Sequence, residues 1–176
     1  MIQLDDNIKQ KIKGKKYIGS GGTRIVYDLG NGYVLKIAKS KNGISCNRIE
    51  VNIYKSSLKP IKKYLAKITD YHNEYHWIIM KKYDRKYPIS SIYKLKLMKL
   101  VKKFRANGII PSKGISQYYE PYSPNLRLKW SGQIVIIDYG GFKYARKHFN
   151  HPHQISPTTA NNIRKKARTK KAECYE

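Results

Sequence analysis

The segment from Tyr17 to Lys39, YIGSGGTRIVYDLGNGYVLKIAK, constrains the fold more than any other, because it sets a lysine inside an apolar run, VLKIA. A buried ammonium without a partner is costly, so whatever fold forms must bring an anion to Lys36. The local pattern supplies the setting. Tyr17–Ser20 and Ile25–Leu29 alternate in the manner of strands about a glycine turn. Asn31-Gly32 is a hairpin turn signal, since both residue types tolerate positive φ, and Tyr33–Lys39 then forms a third strand. The lysine therefore lies on the strand that follows a glycine-loop hairpin.

The rest of the chain reads as alternating elements. Residues 46–57 form a helix on which Ile49 and Ile53 share a face and which carries Glu50. Residues 65–71 and 75–82 are two further strands joined at His72-Asn73-Glu74, and Tyr83–Pro88 is a polar connection. Residues 91–106 make the clearest helix, with Leu97, Leu100, Val101 and Phe104 in one stripe and Asn107-Gly108 as its stop. Leu126–Trp130 and Gln133–Asp138 pair about Ser131-Gly132, the second running continuously apolar as a buried strand does. This divides the chain into a lead-in (1–16), a sheet-rich part (17–83), a second part (84–142) and a basic tail (143–176).

Of the 176 residues, 40 % are hydrophobic, enough for a core. The 37 Lys and Arg outnumber the 11 Asp and Glu, a formal charge of +26 that attracts polyanions. Arg164–Lys171 in the tail reads as a basic arm capable of non-specific, salt-dependent nucleic-acid binding. Cys46 and Cys174 make neither a disulfide framework nor a zinc motif, and HFNHPH at 148–153 reads as a polar loop. No apolar run approaches the ~20 residues that span a bilayer. The start, MIQLDDNIKQKIKGKK, lacks the apolar core of a secretion leader. The expectation is a cytoplasmic protein with no membrane span.

The order of elements and their residues resembles the protein kinase-like superfamily. GSGGTRIV at 19–26 is similar to the nucleotide-covering loop, with Gly19, Gly21 and Val26 in place and Arg24 where a third glycine belongs. IVIIDYGG at 134–141 resembles the segment that carries Asp-Phe-Gly, and Asn125 lies thirteen residues before Asp138. The resemblance covers roughly residues 15–142. It implies an α+β fold: a five-stranded antiparallel first lobe with one helix, and a reduced, mainly helical second lobe. It implies ATP and Mg²⁺ as cofactors. Gly19, Ser20, Gly21, Gly22, Val26 and Lys36 would bind the nucleotide, Glu50 would hold Lys36, and Asn125 and Asp138 would be metal ligands. Those residue types suit the chemistry: glycines admit backbone N–H groups to phosphate, a lysine supplies a point charge, and hard oxygens suit Mg²⁺.

The sequence also departs from the family. Glu120 stands five residues before Asn125, where the catalytic aspartate belongs, and the preceding His-Arg pair is absent. Only 38 residues follow Asp138, and no Ala-Pro-Glu motif is among them. Three functions follow. The first is a minimal ATP- and Mg²⁺-dependent kinase that phosphorylates Ser or Thr of a protein, or itself, with Glu120 as base. The second is a pseudokinase that engages an acidic protein or nucleic acid through its basic surface. A small-molecule kinase of the aminoglycoside or choline type is the third. In style the lysine- and tyrosine-rich chain is similar to phage-encoded proteins, which implies a host protein as target and the host cytoplasm as location.

Overall fold

The glycine-loop meander forms as its alternation dictates, in a computed structural model that describes residues 6–112, 115–117 and 120–145. β1 (Lys16–Ser20), β2 (Arg24–Asp28) and β3 (Tyr33–Ala38) pair in turn, antiparallel. β4 (Ile68–Tyr71) and β5 (Trp77–Lys81) complete a five-stranded antiparallel sheet of order β1-β2-β3-β5-β4. The expected strands at 65–71 and 75–82 are thus present but shorter. The β2–β3 turn takes its positive φ at Gly30 and Gly32 rather than at Asn31.

Alternation on β3 sends Leu35 and Ile37 to one face and Lys36 to the other. Leu35 and Ile37 are covered by Ile8, on α1 (Asp6–Ile12), and by Trp77. The face carrying Lys36 receives α2 (Lys41–Ser56). That helix begins five residues before the expected start at 46. Ser40 caps it by accepting a hydrogen bond from the Gly43 backbone. Gly43 sits inside the helix because a Cβ there would lie 2.3 Å from the Thr23 carbonyl oxygen. The glycine lets α2 pack against the end of the glycine loop.

A short α3 (Lys59–Lys62) precedes β4, and α4 (Ser91–Ala106) matches its expected bounds. Leu97, Leu100 and Phe104 of α4 are buried in the main core. Among the described residues after 84, α4 is the one α-helix. Around it lie two-stranded ribbons: β6 (Ile109–Ile110) with β11 (Lys143–Tyr144), β7 (Ser116–Gln117) with β8 (Glu120–Pro121), and β9 (Leu126–Leu128) with β10 (Ile134–Ile136). The second part, expected to be reduced and mainly helical, thus holds one long helix with short ribbons among the described residues.

Two backbone bonds fix β10 beside the segment that leads into β4. Ala66 N donates to Ile136 O at 2.9 Å, and Ile136 N to Tyr64 O at 2.8 Å. Ile137 N donates to Asn125 O at 2.9 Å, which brings Asn125 beside the residues that follow β10. The described residues through Ala145 belong to one compact unit, and residues 146–176 are set apart from it as a second. The second unit, with the expected basic arm and the histidine segment, lies outside the described residues.

Candidate active site

Lys36 finds its anion on α2. Its Nζ donates to Glu50 Oε1 and Oε2 at 3.1 and 3.2 Å and to the Ile137 carbonyl at 2.6 Å. These three acceptors engage all three N–H donors of the ammonium. Glu50 is completely buried and also accepts from the Tyr139 backbone N–H at 3.0 Å. The Tyr139 ring is likewise fully buried, and its hydroxyl donates to the Ala66 carbonyl at 2.9 Å. Gly140 permits this docking, since a Cβ there would meet Cys46 Cβ of α2 at 2.8 Å.

A second cation, expected in the glycine loop, shares the pocket. Arg24 is buried, and its Nη2 donates to Asp138 Oδ1 at 2.7 Å. Its Nη1 lies 3.2 Å from Glu50 Oε2 and donates to Asn47 Oδ1 at 3.3 Å. Asn47 in turn donates to the Tyr75 carbonyl at 2.9 Å. A signal for Arg24 was present in the pairing pattern. Val26 pairs with Lys36, and Arg24 lies two residues before Val26, so period-2 alternation puts both cations on one face. Asn47 precedes Glu50 by three residues, one helical turn.

The four charged groups shape one another. Burial opposes ionisation of Asp138, but Lys36 and Arg24 together outweigh it and hold the carboxyl well below the usual carboxylate range. Burial is the largest influence on Lys36 and pulls its ammonium pKa down, with repulsion from Arg24 adding and Glu50 opposing. Burial acts against Arg24 too, yet Glu50 and Asp138 overcome it and raise its pKa. Burial pushes the Tyr139 hydroxyl far up, so it stays a hydrogen-bond donor.

A cleft of about 310 Å³ opens beside this cluster. Val26, Val34, Met80 and Ile137 give it an apolar wall, and Lys36, Lys86, Asn125, Arg127 and Asp138 a polar end. Of the expected nucleotide-binding residues, Gly19, Val26 and Lys36 line it. Ser20, Gly21 and Gly22 sit at the tip of the hairpin and are not among its lining residues. There Gly21 N donates to Arg24 O at 2.9 Å, and Lys39 Nζ donates to Ser20 Oγ and Gly21 O. Arg127 donates to the carbonyls of Ser123, Pro124 and Leu126, shaping the turn that presents Asn125. The expected base, Glu120, is exposed on β8, ion-paired with Lys94 of α4, and is not among the residues that line the cleft.

Asn125 and Asp138 offer hard oxygens of the kind Mg²⁺ takes. As arranged, they do not fit it. Two carboxylates already face two cations, Lys36 and Arg24, and Arg24 lies on Asp138 Oδ1, so a divalent ion would add charge to a balanced cluster. Elsewhere among the described residues, His72, Glu74 and His76 bring ligand-type atoms within 4.8 Å. Their imidazoles stack 4.7 Å apart at 10°, so the in-plane lone pairs run parallel and do not converge on one ion.

The fold has solved counterparts. Two structures of WbdD, described as a bifunctional kinase-methyltransferase, superpose with TM-scores of 0.51 and 0.54 at 11 % identity. They cover 71 % and 75 % of this chain, which spans about a third of their length (31 % and 33 %). No family model matches the sequence, and no curated protein does. The chain has a kinase-like α+β fold. Among the described residues no helix is long and apolar enough to cross a membrane.

Proposed function

We propose that the chain is a kinase-like binding module whose cleft takes ATP as its free anion, with Arg24 holding the charge that a divalent ion would otherwise hold. The observation that carries this reading is the Arg24–Asp138 pair at 2.7 Å inside a cluster of two cations and two anions. The apolar wall suits a purine, and the cleft volume is at the small end of ligand sites. Lys86 and Arg127 at its polar end meet the phosphates, while Lys36 acts through its field, its donors being held by Glu50 and Ile137. Asp84, the other carboxylate among the lining residues, is paired with Lys82, and Glu120 lies outside the cleft, so this reading takes binding rather than transfer as the output. An acidic protein or a nucleic acid is then the partner of the basic surface.

A second reading is the ATP- and Mg²⁺-dependent transfer to a protein Ser or Thr, or to the chain itself. It is favoured by the placement of Asn125 and Asp138 on the same cleft. Thermal shift with ATP, in EDTA and in Mg²⁺, beside a γ-label transfer assay on wild type, Lys36→Ala and Asp138→Ala, separates the two. The first reading predicts a full shift in EDTA, no larger in Mg²⁺, and no transferred label. Label that needs Mg²⁺ and Asp138 would establish the second reading instead. No shift in either buffer would defeat both.

A further inference from the structure

The segment Lys81–Asp84 borders the nucleotide cleft and also a second, larger concavity of about 950 Å³. We propose that this second groove, which adjoins the nucleotide cleft and is built from residues other than those of the basic tail, binds single-stranded nucleic acid. Lys62, Lys63, Lys67, Lys81, Arg85 and Lys129 line it. Asp84 is the one acid among its lining residues, and it pairs with Lys82 at 2.9 Å, as does Asp28 at 2.8 Å. The remaining cations line the same concavity.

Two of those cations, Lys129 and Arg85, are tethered to backbone rather than splayed. Lys129 Nζ donates to the Lys63 carbonyl at 2.9 Å, and Gln133 Nε2 donates to the same oxygen at 2.6 Å. Arg85 Nη1 donates to the Trp130 carbonyl at 3.0 Å. Partial burial lowers the Lys129 pKa, and repulsion from Lys63 and Lys81 adds to it. A surface built for solubility spreads like charges apart; here backbone contacts keep them close, and an anion relieves the repulsion.

The aromatic content decides which anion. Trp130 lines the groove with 94 % of its surface exposed, a large apolar face open to solvent. Tyr54 and Tyr83 stand half-buried in the wall. Cations that track a phosphate backbone beside an open aromatic face are the elements of single-strand recognition, in which unpaired bases stack on the ring. A duplex keeps its base faces inside the stack, and an acidic peptide brings charge without a flat face for Trp130.

Fluorescence anisotropy with a labelled oligothymidylate on the full-length chain tests this across a salt series. Trp130 is exposed, so Trp130→Ala leaves the core intact, and circular dichroism verifies that. The expected result is binding that Trp130→Ala weakens about tenfold. Lys62→Gln and Lys129→Gln each reduce the slope of log K against log salt by about 0.7, the value for one phosphate left without its cation. Absence of binding would overturn the proposal. So would binding that all three groove variants leave unchanged, because another basic surface would then carry it. Equal affinity for polyglutamate, untouched by Trp130→Ala, would mark an acidic protein as the partner and overturn the nucleic-acid assignment.

Discussion

Replacing Arg24 with Gln removes one charge from the buried cluster and keeps most of the side chain's bulk. The wild-type cluster sums to zero: Lys36 and Arg24 against Glu50 and Asp138. The variant sums to one net negative charge, with Asp138 released. Removing one partner from a fully buried pair costs about 3–5 kcal/mol. The Asp138 side chain is 42 % exposed, so solvent screens part of the loss and about 2–3 kcal/mol is the reasoned value. For a chain of this length that lowers Tm by roughly 4–12 °C. The freed carboxylate and Asn125 then fit a divalent ion, so Mn²⁺ titrated without nucleotide binds the variant at least tenfold tighter than wild type, equivalent to about 1.4 kcal/mol. Differential scanning calorimetry reads the first effect, and electron paramagnetic resonance of free Mn²⁺ the second. Wild-type protein that binds Mn²⁺ as tightly as Arg24→Gln would refute the idea that Arg24 occupies the cation position.

Other perturbations probe the same architecture. Glu50→Gln leaves Lys36 and Arg24 without their shared buried carboxylate, and its denaturation midpoint should fall by an amount equivalent to about 3–5 kcal/mol. Gly43→Ala drives a Cβ against the Thr23 carbonyl; an unchanged urea slope with a midpoint loss of about 1–3 kcal/mol is expected. Tyr139→Phe deprives the buried Ala66 carbonyl of its donor, a loss of about 1–3 kcal/mol in the same assay. The Asp138 carboxyl titrates below its unfolded value of about 3.9, so its contribution to stability is present above that value and is lost as pH falls through the lower folded value. The stability difference between wild type and Asp138→Asn should therefore stay flat from neutral pH down to about 4 and shrink only below it.

Much of this site is legible in the chain because local rules carry it. Lys36 in VLKIA demands an anion, Glu50 lies on the next helix, and the apolar IVII run delivers Asp138 beneath the sheet. The meander and α4 follow from periodicity, and the α4 bounds agree to the residue. Arg24 is harder to place. Taken for a missing glycine, it is a loop residue facing the phosphates, whereas strand alternation turns it inward to Lys36's face. The start of α2 is hidden by Gly43, whose usual meaning as a helix breaker gives way to a close contact that only glycine permits. Glu120 lies beyond sequence reasoning for another reason. Its distance from Asn125 along the chain says nothing of the ribbon that carries it or of Lys94, twenty-six residues away on α4.

The most direct test of the account is isothermal titration of ATP into wild-type protein, once in EDTA and once in Mg²⁺. A balanced cluster with Arg24 on Asp138 predicts binding in EDTA at least as tight as in Mg²⁺, and a clear loss in Lys36→Ala. Affinity that appears only with Mg²⁺ would contradict it, because the cation position would then be open to metal.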